Sequence, residues 1–129
     1  MNEDYLASLE PIVVRHHFLR DTLLHLQRHG PIVAREVDVP HRSLVRIHLE
    51  TFPTEEKLLP KLESEIMEGF RCGLLLFEPT ASRLRVSEAA TVCLERLEIV
   101  VSPCGALMAR RRGDDAPRRL VCYRCGLAI

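Results

Sequence analysis

Three cysteines near the C-terminus carry the clearest chemistry in this chain. The sequence runs Val101-Ser102-Pro103-Cys104-Gly105 and, with seventeen residues between Cys104 and Cys122, Cys122-Tyr123-Arg124-Cys125-Gly126. Zinc ribbons use two Cys-x-x-Cys knuckles, each followed by glycine and joined by a hairpin. The glycine lets backbone amides fold toward the thiolates, and the paired spacing puts two sulfurs about 2.3 Å from one ion. The second knuckle is intact, whereas the first has Val101 where a cysteine belongs. Cys104, Cys122 and Cys125 are therefore three expected zinc ligands, and a structural site takes four. The fourth would come from Cys93, from a histidine brought near in space, or from a partner molecule. Without a metal the same residues would make an ordinary hairpin, 106–111 against 118–121, turned by 113–117.

Other chemistry is sparse. Five cysteines are an odd number, and the acidic start Met1-Asn2-Glu3-Asp4 is unlike a secretory signal, so reduced thiols are expected. Cys72 and Cys93 sit in apolar stretches and read as core residues. His16 and His17 are adjacent and point to different helix faces. His25 and His29 share a face at a spacing that can bind metal, but no glutamate completes a His-Glu-x-x-His motif. With no phosphate loop, nucleophile elbow or tight carboxylate cluster, the chain is expected not to be an enzyme. Charge is zero overall but uneven. From Ser102 onward six arginines face two aspartates, a net +4, which leaves −4 for the rest. Arg110, Arg111, Arg112, Arg118 and Arg119 are the candidates for phosphate contacts or nuclear import; the plainer alternative is a solvated hairpin edge.

At 129 residues with 47% hydrophobic content, one domain with a small appendage is expected, its core built from Leu, Val and Ile in the absence of tryptophan. No apolar run approaches the roughly 18 residues of a membrane span. Apolar residues at helical spacing over 5–29 predict a helix, with Pro11 at its start or dividing it, stopped by Gly30-Pro31. Val37, Val39, Val45, Ile47 and Leu49 alternate with polar residues and predict an antiparallel hairpin turned at 40–43. Thr54 would cap a second helix, with Leu62 and Ile66 in its stripe and regular geometry delayed until Pro60. Strands are expected at 72–77, 82–86 and 91–101, with a helical alternative over 88–97. The order of elements predicts an α+β fold: an antiparallel sheet with two helices on one face, plus a C-terminal cysteine-containing hairpin. The expected domains are 1–101 and 102–129. A rival assignment is a winged helix-turn-helix whose recognition helix carries Arg42, Arg46 and His48, although the alternation there favours strand.

Several short matches fall in order along the first hundred residues: Leu9-Glu10-Pro11-Ile12, Leu19-Arg20-Asp21 with Leu23, Ser43-Leu44, His48-Leu49, Phe77-Glu78 with Thr80, and Arg85-Val86. Together they resemble the early-region-four open-reading-frame-three proteins of adenoviruses. The resemblance covers roughly residues 7–101, with short gaps and a longer insertion around 87–91. It implies an α+β dimer that assembles further into a multivalent network in the host nucleus. Such networks disrupt promyelocytic leukaemia protein bodies, hold tripartite-motif proteins and the double-strand-break repair complex, dampen transcription and damage signalling, and promote SUMO conjugation by scaffolding. Many weak copies of one site gain affinity through effective concentration without any enzymatic step.

Two departures bear on assembly. The family's exchanging C-terminal tail is replaced here by the cysteine-rich segment, and a family asparagine on the second helix corresponds to Glu68. Glu68, Leu62 and Ile66 are accordingly the expected assembly residues, with the cysteines rebuilding the lost tail contact. The competing class is a nucleic-acid or transcription adaptor that uses the basic tail. A third is an unrelated cellular α+β domain.

Overall fold

The computed structural model describes residues 2–34, 39–52, 54–112 and 120–128. It is an α+β fold, as expected, with antiparallel sheets. Among the described residues, however, five α-helices stand where two were expected, and the strands form two separate sheets.

The first helical stretch divides at His16, not at Pro11, giving α1 (Glu3–Arg15) and α2 (His17–His29). Asn2 caps α1 by accepting from the Asp4 amide at 2.8 Å, and Glu3 and Asp4 sit at the positive end of its dipole. Pro11 is absorbed within α1. At the break, the exposed ends of two helices are satisfied by two buried charges. Arg20 donates to the Val13 and Val14 carbonyls, both at 3.0 Å. Glu65 accepts from the Phe18 and Leu19 amides at 3.0 and 3.2 Å. These are the carbonyl and amide groups that a helix end leaves without intrahelical partners. Gly30, at φ +84°, ends α2 and donates to the Leu26 carbonyl at 2.8 Å.

After β1 (Ile32–Val33), the expected hairpin is replaced by α3 (His41–Thr51); Val37 lies outside the described residues. The alternation of Val45, Ile47 and Leu49 misleads because the face that packs inward is Ser43, Leu44 and His48, with Leu44 and His48 one turn apart. A polar residue thus takes a core position that a strand pattern assigns to water. His48 is tied in by an edge-on contact with Phe18 and by Thr22 Oγ1, 3.5 Å from its Nδ1.

A 3₁₀ turn (Glu56–Leu58) leads into α4 (Leu59–Arg71), with Pro60 in the first turn, where its missing N–H costs nothing. Thr54 is not the cap; its hydroxyl donates to the Phe52 carbonyl. Leu62 and Ile66 are fully buried in the chain's own core, and Glu68 pairs with Arg71. The strand expected from Cys72 starts later, because Cys72 still donates to the Glu68 carbonyl as the cap of α4. Gly73 then turns the chain at φ +81°, and a Cβ there would lie 2.6 Å from the Tyr5 hydroxyl.

Strands β2 (Leu75–Glu78) and β3 (Arg83–Val86) pair antiparallel, with β1 on the far edge of β3. Next comes α5 (Glu88–Glu95), capped by Ser87 Oγ accepting from Ala90 N at 3.0 Å, where the helical alternative had been weighed. β4 (Leu97–Val101) pairs with β5 (Leu107–Arg111), and of the 118–121 segment weighed as a partner in the metal-free alternative, 118 and 119 lie outside the described residues. Residues 113–119 lie outside the described residues. The division expected after residue 101 falls at the turn of this β4–β5 hairpin, whose Leu107 carbonyl accepts from Arg20 at 2.9 Å. Among the described residues no helix is long and apolar enough to cross a membrane.

Substituting Glu65 with alanine uncaps α2 and leaves two buried amides unpaired. The loss in unfolding free energy by urea titration is expected to be about 2–4 kcal/mol. Glu65→Gln, which keeps an accepting oxygen, is expected to lose about 1 kcal/mol. A Glu65→Ala protein as stable as its parent would contradict this account of the helix joint.

Candidate metal centre

The turn of the β4–β5 hairpin forms the first knuckle. The second is the loop 122–126, closed by a bridge between Val121 and Ala128. Together they bring Cys104, Cys122 and Cys125 close enough to hold a metal ion, with all three sulfurs within 4.8 Å of one another. The Cys104 and Cys122 sulfurs are 3.5 Å apart, near the ~3.8 Å that a tetrahedral site with 2.3 Å zinc–sulfur bonds requires. The Arg124 and Cys125 amides point at Cys122 Sγ from 3.4 and 3.5 Å. Burial raises the Cys122 thiol, but hydrogen bonding from Ser102, these two amides and Cys104 outweighs it and brings the thiol down to about 6. A thiolate at neutral pH is what a metal ligand needs.

Cys93 does not join the cluster. It is buried in α5 within the apolar core, where burial pushes its thiol up to about 11 and keeps it protonated. Among the described residues no histidine joins the three sulfurs either. Cys72 is half-buried, its thiol pointing to the Gly69 carbonyl. His25 and His29 do sit together, ring centroids 4.4 Å apart, with no third ligand among the described residues. Val101, at the position of the missing cysteine, is 61% exposed at the end of β4, because strand alternation turns it outward and its neighbour Ser102 inward.

What fastens the second knuckle to the body went unnoticed in the sequence. Tyr123, between the two knuckle cysteines, stacks on His17 at 3.9 Å between centroids and 18° between planes. Its hydroxyl donates to Asp21 Oδ2 at 2.9 Å. These groups border a cleft of about 360 Å³ that also takes in His48 and Lys61. Burial raises Asp21 to about 6 against the opposing Tyr123 hydrogen bond, pushes Tyr123 up to about 12, and lowers His17 and His48 to about 4. Perturbed groups in a cleft are candidates for catalysis. Here burial among packing neighbours is the first cause of each shift, with Tyr123 lying against Asp21 and His17 and Phe18 against His48.

Two of the five basic candidates are engaged in ion pairs. Arg110 makes a two-pronged pair with Glu98 at 2.8 and 3.0 Å, and Arg111 pairs with Glu10 at 3.3 Å. Arg112 is exposed, and Arg118 and Arg119 lie outside the described residues.

A half-buried imidazole (His17), a buried one (His48) and one raised carboxyl give opposite pH dependences. Below pH 6.5 the unfolded chain takes up protons on His17 and His48 that the folded chain refuses until about 4, so stability falls with pH. Asp21 works the other way, because the folded carboxyl protonates near 6, before the unfolded one. Asp21→Asn removes that opposing proton while keeping an acceptor for Tyr123. Near pH 5 its stability is expected to fall more steeply than the parent's by about 1.4 kcal/mol per pH unit. Parallel curves in denaturant titrations from pH 4.5 to 6 would contradict the assignment.

Compared with known proteins, the chain matches no protein family, no curated protein and no solved structure.

Proposed function

We propose that this chain is a non-enzymatic, self-associating scaffold whose C-terminal segment is fastened to the helical body by zinc held on Cys104, Cys122 and Cys125. Its task, following the sequence resemblance, is to capture nuclear proteins of an infected host cell and blunt antiviral defence. The observation that carries this choice over a nucleic-acid adaptor is the state of the surface around the cysteines. Arg110 and Arg111, which an adaptor would aim at phosphates, are paired with Glu98 and Glu10. Three aliphatic side chains of the two knuckles face solvent instead: Val101 at 61%, Val121 at 57% and Leu127 at 54% exposure. Exposed aliphatics flanking the two knuckles suit protein contacts better than phosphate contacts.

In this reading Leu62 and Ile66 hold each protomer together, and Glu68 is left at the surface of α4 beside the exposed Met67. Assembly then passes to the knuckles, which replace the exchanging tail of the adenoviral proteins. Multivalence turns weak copies of one contact into firm capture. The place of action is the host nucleus.

The test is fluorescence microscopy of the tagged chain in host-type cells co-stained for promyelocytic leukaemia protein. The parent is expected to form tracks or aggregates that draw those bodies out of their round shape, and a Cys122→Ser/Cys125→Ser variant is expected to stay diffuse. Diffuse fluorescence of the parent beside intact round bodies would overturn the scaffold reading.

A further inference from the structure

The three cysteines leave one corner of a tetrahedron open, and the nature of that corner decides what kind of site this is. Three protein ligands plus water make an open, catalytic type of metal site, whereas four protein ligands make a closed, structural one. Among the described residues neither Cys93 nor a histidine reaches the cluster.

The two knuckles can be superposed through their hydrogen bonds. The Ser102 amide donates to the Ala106 carbonyl at 2.9 Å, as the Cys122 amide donates to the Leu127 carbonyl at 2.9 Å. Gly105 N donates back to the Ser102 carbonyl at 2.8 Å, as Gly126 N donates to the Cys122 carbonyl at 2.9 Å. The Cys104 amide reaches Ser102 Oγ at 3.3 Å, as the Arg124 amide reaches Cys122 Sγ at 3.4 Å. Both glycines take positive φ, +86° and +74°. Each knuckle is preceded by an exposed valine, Val101 and Val121. The first loop is one residue shorter, with Pro103 alone where the second has Tyr123 and Arg124. Ser102, and not Val101, therefore occupies the place of a leading cysteine.

Its side chain fits the part. Ser102 is buried, and its Oγ lies 3.2 Å from Cys104 Sγ and 3.5 Å from Cys125 Sγ. A tetrahedral ion bound to sulfur at about 2.3 Å and to oxygen at about 2.0 Å separates those atoms by about 3.5 Å. We propose that Ser102 Oγ is the fourth ligand, so that the ion sits in a closed site of three thiolates and one hydroxyl. This rests on the zinc reading above and adds to it that the centre is structural, with no open position for water or substrate.

Cobalt(II) substitution of the full chain tests this through the visible ligand-field bands and the thiolate charge-transfer band. The parent is expected to bind one tetrahedral cobalt whose spectrum does not respond to added thiocyanate. Ser102→Ala opens the fourth corner, so its spectrum is expected to shift with thiocyanate and its affinity to weaken at least about tenfold. Ser102→Cys is expected to gain about a third in charge-transfer intensity, from three thiolates to four, and it guards against misfolding of the alanine variant. Parent and Ser102→Ala responding alike, or no gain in Ser102→Cys, would overturn the fourth ligand while leaving the three-cysteine site standing. A parent that binds no cobalt would overturn the metal reading itself.

Discussion

Everything in this molecule turns on the joint between α1 and α2, where a helix breaks and its open ends are closed by two buried charges. Arg20 covers the last carbonyls of α1, and Glu65 covers the first amides of α2. Burying either charge is costly in itself, and each is tolerated because it satisfies several backbone groups at once. Some cost remains: Arg20 Nε and Glu65 Oε2 are buried without a hydrogen-bond partner among the described residues. The return is connectivity. Glu65 brings α4 to the joint, and the other arm of Arg20 holds the Leu107 carbonyl of β5.

From the same turn of α2 the connection continues outward. Asp21, next to Arg20, receives the Tyr123 hydroxyl, and His17 receives the Tyr123 ring. Tyr123 lies between two of the clustered cysteines, so the helix joint and the cysteine cluster are separated by one side chain. The body thus presents a firm seat, and the knuckles close over it. Small C-terminal segments rarely hold a fixed shape by burial alone, and in the proposed reading a metal ion on the three cysteines supplies the missing constraint. In the proposed scaffold, that constraint is what holds Val101, Val121 and Leu127 outward as a contact surface.

The sequence made some of this legible and concealed the rest for identifiable reasons. The cysteine trio could be found because knuckle spacing is a local signal, and the three sulfurs do converge. The α+β class could be found because helical spacing over 5–29 stands beside short strand-like runs at 72–77 and 82–86. α3 was hidden because its Val45, Ile47 and Leu49 alternate by chance, while the inward face is completed by a histidine whose burial no pattern announces. The break at His16 was hidden because the apolar spacing runs through it and the more obvious breaker, Pro11, stands nearby. The charges that stabilise the break are 45 residues apart in sequence, Arg20 and Glu65, and pair with backbone rather than with a recognisable motif. Ser102 was passed over because counting positions points to Val101. Only strand alternation and the shortened loop move the proposed ligand position one residue along.

The central claim is that the cysteine cluster pins the C-terminal segment onto a helical body that stands without it. Hydrogen exchange of the full chain, zinc-loaded and then chelated, tests it most directly. The Arg124 and Cys125 amides, held against Cys122 Sγ, should lose their protection on chelation, while Leu23 and Leu26 in the buried stripe of α2 keep theirs. Unchanged exchange at Arg124 and Cys125, or collapse of protection throughout α2, would contradict the account.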